Sequence, residues 1–112
     1  MDLDDYQERA LRTAIYPGRG TGSAMALAYV ALGLGESGEV QGKVKKILRD
    51  NGGLLTPGVR EALIDEAGDM LWYIAQFSSE LGVSLSEVAQ RNVDKLASRA
   101  DRGVLGGSGD DR

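Results

Sequence analysis

The chain has 112 residues, a formal charge of −4, and neither histidine nor cysteine. This length favours one domain with a modest hydrophobic core. The two missing residue types exclude disulfides, thiolate or imidazole metal sites, cysteine nucleophiles and Ser-His-Asp triads. Any catalysis would therefore use carboxylates, lysine, tyrosine, hydroxyl groups or a hard metal ion held by oxygen ligands.

The charge and hydropathy of the chain also limit its partners. Mild acidity argues against a nucleic-acid-binding surface, which is usually basic. No apolar run approaches the ~20 residues of a membrane span, and the acidic start of the chain is unlike a signal peptide. We therefore expect a cytoplasmic protein with neither nucleic acid nor a membrane as partner.

Four segments with helical periodicity follow one another along the chain, separated by glycine clusters. The first covers residues 4–15 and ends before Pro17, because the residue before a proline avoids helical dihedrals. The second runs from residue 21 or 23 to residue 50. Three closely spaced glycines, at positions 33, 35 and 38, interrupt it and predict either a kink or the close approach of another backbone.

The third segment, residues 56–81, begins with the cap-and-proline pair Thr56-Pro57. The fourth, residues 84–100, begins with the capping box of Ser84 and Glu87. Residues 103–112 are rich in glycine and are predicted to form a flexible tail, so that residues 1–102 make up a single domain. The pattern predicts an all-α helical bundle with four main helices.

Two pairs of carboxylates occupy unexpected positions in this pattern. Glu66 falls inside the apolar stripe predicted to face the core from the third helix, and Asp69 lies at the edge of that stripe. The members of the stripe are Leu63, Met70, Tyr73, Ile74, Phe77 and Leu81. Glu36 and Glu39 line the edge of the apolar side of the second helix. Since ionised carboxylates are seldom buried without partners, and a helical hairpin would bring both pairs to similar depth, the four groups are predicted to converge.

Convergent carboxylates repel one another, and a divalent cation would turn this repulsion into binding energy. Ligation by oxygen alone suits Mg²⁺, with Mn²⁺ as a substitute. An alternative is a solvated helix face with internal salt bridges, in which Lys43 and Lys46 neutralise Glu36 and Glu39. The same lysines could equally contact phosphate oxygens beside a metal ion.

The fourth helix carries a polar residue, Asn92, within its apolar stripe, and Lys95 and Arg99 follow it. One interpretation is a buried asparagine satisfied by the backbone. The other is a contact to the base or sugar of a ligand, with Lys95 and Arg99 placed on its phosphates. Both interpretations stay open at the level of the sequence.

Three stretches together resemble the MazG-like nucleotide pyrophosphohydrolases, particularly their short single-domain members. The first is Leu34–Val40 followed by lysines, the second is Glu66–Tyr73, and the third is Asn92–Arg99. Together they reproduce a Glu-x-x-Glu…Glu-x-x-Asp signature followed by Asn-x-x-Lys-Leu-x-x-Arg. The likeness spans residues 5–100.

This resemblance implies an all-α fold whose active site opens between helices of a homodimer or homotetramer. It implies Mg²⁺-dependent hydrolysis of a nucleoside triphosphate to the monophosphate and pyrophosphate, with Glu36 or Glu39 as the catalytic base. The implied metal ligands are Glu36, Glu39, Glu66 and Asp69. The implied contacts to substrate are Lys43, Lys46, Asn92, Lys95 and Arg99.

Two other functions remain compatible with the sequence. A related enzyme would act on another nucleotide, as an all-α dUTPase or a phosphoribosyl-ATP pyrophosphohydrolase does. A non-catalytic helical oligomer would instead use its Glu–Lys networks for assembly.

Overall fold

The computed structural model describes every residue except Asn51, and for Glu36 it describes the main chain only. Five α-helices follow in order: α1 (Leu3–Leu11), α2 (Ala24–Gly33), α3 (Ser37–Asp50), α4 (Pro57–Glu80) and α5 (Leu85–Asp101), with a short 3-10 helix (Leu34–Glu36) between α2 and α3. No strand occurs in the described part of the chain, and the prediction of an all-α fold is confirmed.

Side-chain caps fix the starts of the last two helices where the sequence predicts them. The Thr56 hydroxyl accepts from the amide of Val59 at the start of α4, and the Ser84 hydroxyl accepts from the amide of Glu87 at the start of α5. The first helix is shorter than predicted and ends at Leu11. Its end comes early because the Thr13 hydroxyl and amide both bond to the Ala10 carbonyl, which replaces a continuing helical ladder with a tight turn.

The second predicted helix is divided into α2, the 3-10 helix and α3, and Gly33 explains where the division falls. A Cβ atom at Gly33 would overlap the ring of Tyr73 on α4. Only glycine therefore allows this close approach. The prediction of a kink or a close backbone approach is right about the kink, whereas the group that approaches is a side chain.

The α2–α3 segment runs antiparallel to α4 along the length of that helix. Gly22, just before α2, lies beside the end of α4 at Glu80, and Gly33 lies against Tyr73. Further on, Lys43 of α3 contacts Glu66 near the middle of α4. This arrangement is the helical hairpin that the sequence predicts.

Helix α1 is held across the turn between α4 and α5. The Gln7 amide donates to the Ser79 hydroxyl and to the Val83 carbonyl, both at 3.0 Å, and accepts from the Leu85 amide at 2.7 Å. The Asp4 carboxylate accepts from the amide and the hydroxyl of Ser86. Because of these contacts, α1 and the start of α5 form one packed unit with the end of α4.

The apolar core consists of two clusters. We call them the α1 cluster, formed by Ala10, Ala75 and Leu85, and the α2 cluster, formed by Ala14, Tyr16, Ala26 and Val30. Trp72 packs against both clusters.

The predicted core stripe of α4 is right at Tyr73 and Phe77, which pack against the α2 cluster, and wrong at two other positions. Ile74 and Leu81 are exposed, while Gln76 and Glu80 are buried. The reason is that α1 and α2 pack on α4 from two sides and bury small and polar residues there, which a hydropathy pattern does not mark as core.

None of the described helices combines the length and the apolar character that crossing a membrane requires.

Candidate active site

An ion pair connects the two carboxylate motifs. Lys43 Nζ on α3 lies 3.2 Å from Glu66 Oε1 on α4, and the Glu66 side chain is only 16% exposed. The two helices place these groups face to face because they run antiparallel on either side of the turn at residues 52–53. The sequence predicts that Lys43 either neutralises carboxylates of its own helix or contacts phosphate oxygens. Its described partner is Glu66 of the neighbouring helix.

Asp69 stands one turn further along α4 at the mouth of a cavity of about 440 Å³. Thr13, Trp72 and Tyr73 complete the lining. The indole Nε1 of Trp72 donates to the Thr13 hydroxyl at 2.8 Å, and the two aromatic rings meet edge to face with centroids 5.0 Å apart. A carboxylate, a hydroxyl and two aromatic rings thus surround one cavity.

The electrostatic influence of Asp69 extends to α1. Burial, and secondarily the negative charge of Asp69, raise the pKa of Tyr6 above its ordinary value. Tyr6 and Thr13 were not singled out in the sequence, because nothing local relates residues of the first segment to a carboxylate more than fifty positions away. They come near Asp69 only because α1 and the residues just after it pack on α4.

The other two carboxylates of the predicted metal site are Glu39 and Glu36. Glu39 is exposed on the first turn of α3, and the side chain of Glu36 lies outside the described part of the chain. Among the side chains that are described, no group of three or more carboxylates is close enough to hold a metal ion. The four-carboxylate cluster stays a prediction.

The predicted substrate-contacting residues lie in three separate places. Lys43 and Lys46 line a cavity of about 240 Å³ between α3 and α4, together with Ile47 and Val59. Asn92 and Lys95 line a cavity of about 300 Å³ on the outer face of α5.

Arg99 is buried by the C-terminal tail. Its Nη2 donates to the Asp110 carbonyl at 3.2 Å and lies 3.5 Å from the Asp110 carboxylate. Asn92, in contrast, is exposed rather than buried in an apolar stripe. Among the described helices α5 contacts only α1 and α4, so its polar groups do not meet α3 within one chain.

A buried carboxylate orders the glycine-rich loop that leads from Thr13 to α2. Glu80 accepts hydrogen bonds from the Tyr16 hydroxyl and from the amides of Gly20 and Gly22. Burial alone would raise the pKa of Glu80, but these hydrogen bonds and the charge of Arg19 outweigh it, and the pKa lies below its ordinary value. Burial, with the hydrogen bond to Glu80, raises the pKa of Tyr16 to about 12.

Comparison with known proteins assigns the chain to a family. The family model described as the MazG nucleotide pyrophosphohydrolase domain matches residues 25–104, which is more than half of the chain. The chain belongs to this family. The matched part of the MazG domain contains both carboxylate motifs, whereas α1 and the loop up to Ala24 precede it. Of the residues that line the Asp69 cavity, Thr13 alone therefore lies outside the match.

A relative of similar length is found in a bacteriophage. The "Gene 37 protein" of Mycobacterium phage L5 is 54% identical over 114 aligned residues, and the alignment covers all of both chains. That name states no activity. No solved structure matches the chain.

Proposed function

We propose that the chain is a Mg²⁺-dependent nucleotide pyrophosphohydrolase, with Mn²⁺ as a possible substitute, that converts a ribo- or deoxyribonucleoside triphosphate to its monophosphate and pyrophosphate. Membership of the MazG family supports the reaction class. The observation that carries the assignment to residues is the Lys43–Glu66 ion pair, which brings a lysine of the first motif onto a carboxylate of the second.

The residues present fit a hard divalent cation. Glu66 already holds a cationic group at 3.2 Å in a half-buried position, and Asp69 lies one turn away. We propose Glu36, Glu39, Glu66 and Asp69 as the metal ligands, a donor set made of oxygen alone, as Mg²⁺ prefers. When bound, the ion would lower the pKa of a water molecule and neutralise charge on phosphate oxygens.

The side chains around it would position the substrate and transfer protons. Glu36 or Glu39 would take the proton of the attacking water. Lys43 would leave its ion pair with Glu66 and bind a phosphate oxygen instead, and Lys46 would contact the outer phosphates. Attack at the α-phosphorus then breaks the α–β anhydride bond, and pyrophosphate leaves with its charge balanced by the lysines.

The nucleoside is best placed in the cavity beside Asp69. A volume of about 440 Å³ falls within the usual range of small-molecule sites, about 300–1,000 Å³. The rings of Trp72 and Tyr73 offer surfaces on which a base can stack, and Asp69 at the mouth lies where the α-phosphate must meet the metal ligands.

A second copy of the chain would complete this site. Because α5 does not reach α3 within the described chain, we propose that Asn92, Lys95 and Arg99 approach the substrate of a neighbouring copy in a homodimer or homotetramer. Arg99 would then exchange Asp110 for a phosphate group.

The decisive experiment measures pyrophosphate release from the ribonucleoside and deoxyribonucleoside triphosphates, with and without Mg²⁺. Glu66→Gln should lower kcat/KM by at least about a hundredfold, because metal charge stabilisation is worth several kcal/mol. Glu61→Gln is the matched control, since Glu61 is exposed on the same helix and pairs with Arg60. Unchanged turnover in Glu66→Gln would disprove the metal site.

The same panel, extended to dUTP and phosphoribosyl-ATP, separates the remaining alternatives. Activity confined to dUTP would indicate a dUTPase-like enzyme, and activity confined to phosphoribosyl-ATP would indicate a phosphoribosyl-ATP pyrophosphohydrolase. If no nucleotide is turned over and Mg²⁺ leaves the melting temperature unchanged, the chain is a non-catalytic oligomer, since a bound ion must stabilise the folded state.

A further inference from the structure

A buried amide lies between the two clusters of the core. Gln76 is fully buried, yet neither its Oε1 nor its Nε2 has a hydrogen-bonding partner among the residues whose side chains are described. Trp72, one helical turn earlier, is the residue that packs on both clusters, so Gln76 lies along the line where they meet.

Core packing does not account for a glutamine at this position. An unpaired buried amide costs the fold about 1–3 kcal/mol, and methionine would fill nearly the same volume without that cost. The other buried polar residues of α4 differ in this respect. The Ser78 hydroxyl donates to the Ile74 carbonyl, and the Glu80 carboxylate accepts three hydrogen bonds. Among the buried polar side chains that are described on α4, Gln76 is therefore the one without a hydrogen-bonding partner.

Helix geometry directs Gln76 towards the cavity beside Asp69. At about 100° per residue, Asp69, Gln76 and Glu80 lie within about 40° of one another around α4. Trp72 and Tyr73 flank this line on either side and separate Gln76 from the cavity that they line. The amide thus lies behind the two rings, about one turn or 5.4 Å deeper along the helix.

One polar contact of the barrier between the amide and the cavity is exposed. Trp72 Nε1 donates to the hydroxyl of Thr13, a residue at the surface, while the rest of the indole packs on the two clusters. Water can replace the hydrogen bond at little net cost, so this contact does not prevent a small rotation of the indole that would open the cavity onto Gln76.

We propose that Gln76 determines which nucleobase the enzyme accepts, its amide pairing with the polar edge of a base that stacks on Tyr73 in the cavity when the Trp72 ring rotates aside. This inference rests on the proposed function. A carboxamide presents an acceptor and a donor side by side, which matches the adjacent acceptor and donor groups of a nucleobase edge. A base that leaves the amide unpaired is rejected because the buried group then has no partner.

The test compares Gln76→Met with the wild type over the same triphosphate panel. The variant keeps the shape of the side chain and loses both polar atoms. The ratio of kcat/KM between the best and the poorest base should fall by about tenfold or more, while the melting temperature of the nucleotide-free protein rises. The fluorescence of Trp72, the single tryptophan, should change when the preferred nucleoside binds to the wild type and should respond weakly in the variant.

Ser78→Ala is the matched control, because it removes a buried polar group on the opposite side of α4 and should leave the ratios unchanged. If Gln76→Met does not fold, Gln76→Leu takes its place. An active wild type whose base ratios survive the loss of the amide would overturn this inference and leave the proposed function intact. A wild type that releases no pyrophosphate from any nucleotide would overturn both.

Discussion

The contact between Glu80 and Tyr16 ties the stability of the loop at residues 16–22 to two titrations. The folded-state pKa of Glu80 is lowered, so its contribution to stability is complete above the ordinary glutamate pKa and is lost as pH falls through the folded pKa. The pKa of Tyr16 is raised to about 12, so its contribution is complete below the ordinary tyrosine pKa of about 10 and is lost as pH rises through the raised value.

Glu80→Gln should therefore destabilise the protein by about 2 kcal/mol or more at neutral pH, because it weakens hydrogen bonds to a buried charged acceptor. The deficit should shrink as pH falls below the ordinary glutamate pKa. Urea unfolding at a series of pH values measures both effects. Glu8→Gln, at an exposed position of α1, should change little, and a pH-independent deficit in Glu80→Gln would contradict the electrostatic explanation.

Single residues could be predicted from the sequence where they break a local pattern. Glu66 and Asp69 stood out because a carboxylate interrupts an apolar stripe. Glu80 and Gln76 did not, since the partners of Glu80 lie about sixty residues away in the loop, and the isolation of Gln76 depends on how α1 and α2 close over α4. Side-chain environment of this kind is set by tertiary packing and has no local signal.

At the scale of the helices, two glycines of the α2–α3 segment are expected to have opposite effects on stability when replaced by alanine. Gly33 faces the ring of Tyr73, whereas a Cβ atom at Gly42 in α3 would meet nothing within 4 Å. The glycines at positions 33, 35, 38 and 42 of the second segment differ in no local feature, so the residue that requires glycine could not be predicted. The capped starts of α4 and α5 could be, because a cap is a local hydrogen bond.

Gly33→Ala should destabilise the protein by about 1–3 kcal/mol, as overpacking does. Gly42→Ala should stabilise it by up to about 1 kcal/mol through helix propensity. Thermal unfolding followed by circular dichroism measures both variants. A Gly33→Ala variant as stable as the wild type, or more stable, would show that the Tyr73 ring yields to the added methyl group, and the packing argument would then be wrong.

The whole molecule exposes more surface than a compact monomer of its mass. Its accessible area is 7580 Å², whereas about 5,900 Å² is typical of a monomer of this size. Its radius of gyration of 16.9 Å likewise exceeds the value of about 13 Å for such a chain. The excess is larger than the roughly 800 Å² that each partner buries in a standard interface. Apolar side chains on α2 contribute to it, notably Met25, Tyr29 and Leu32.

Analytical ultracentrifugation should therefore find at least twice the chain mass of 11.9 kDa, and the melting temperature should rise with protein concentration. Leu32→Glu should weaken this association because it places a charge on an exposed apolar helix face. Leu105→Glu, in the tail, is the control. A wild type that sediments as a monomer at micromolar concentration would refute the proposed oligomer and the contribution of α5 to a neighbouring site.

The attachment of α1 has a consequence for the order of events during synthesis. The partners of Asp4 and Gln7 are Ser79, Val83, Leu85 and Ser86, so α1 acquires this full set of hydrogen bonds only after residue 86 has been made. A short helix on its own is marginal in water. On the ribosome, α1 can therefore become stable only once α4 exists, and its attachment is completed later than the α2–α4 hairpin.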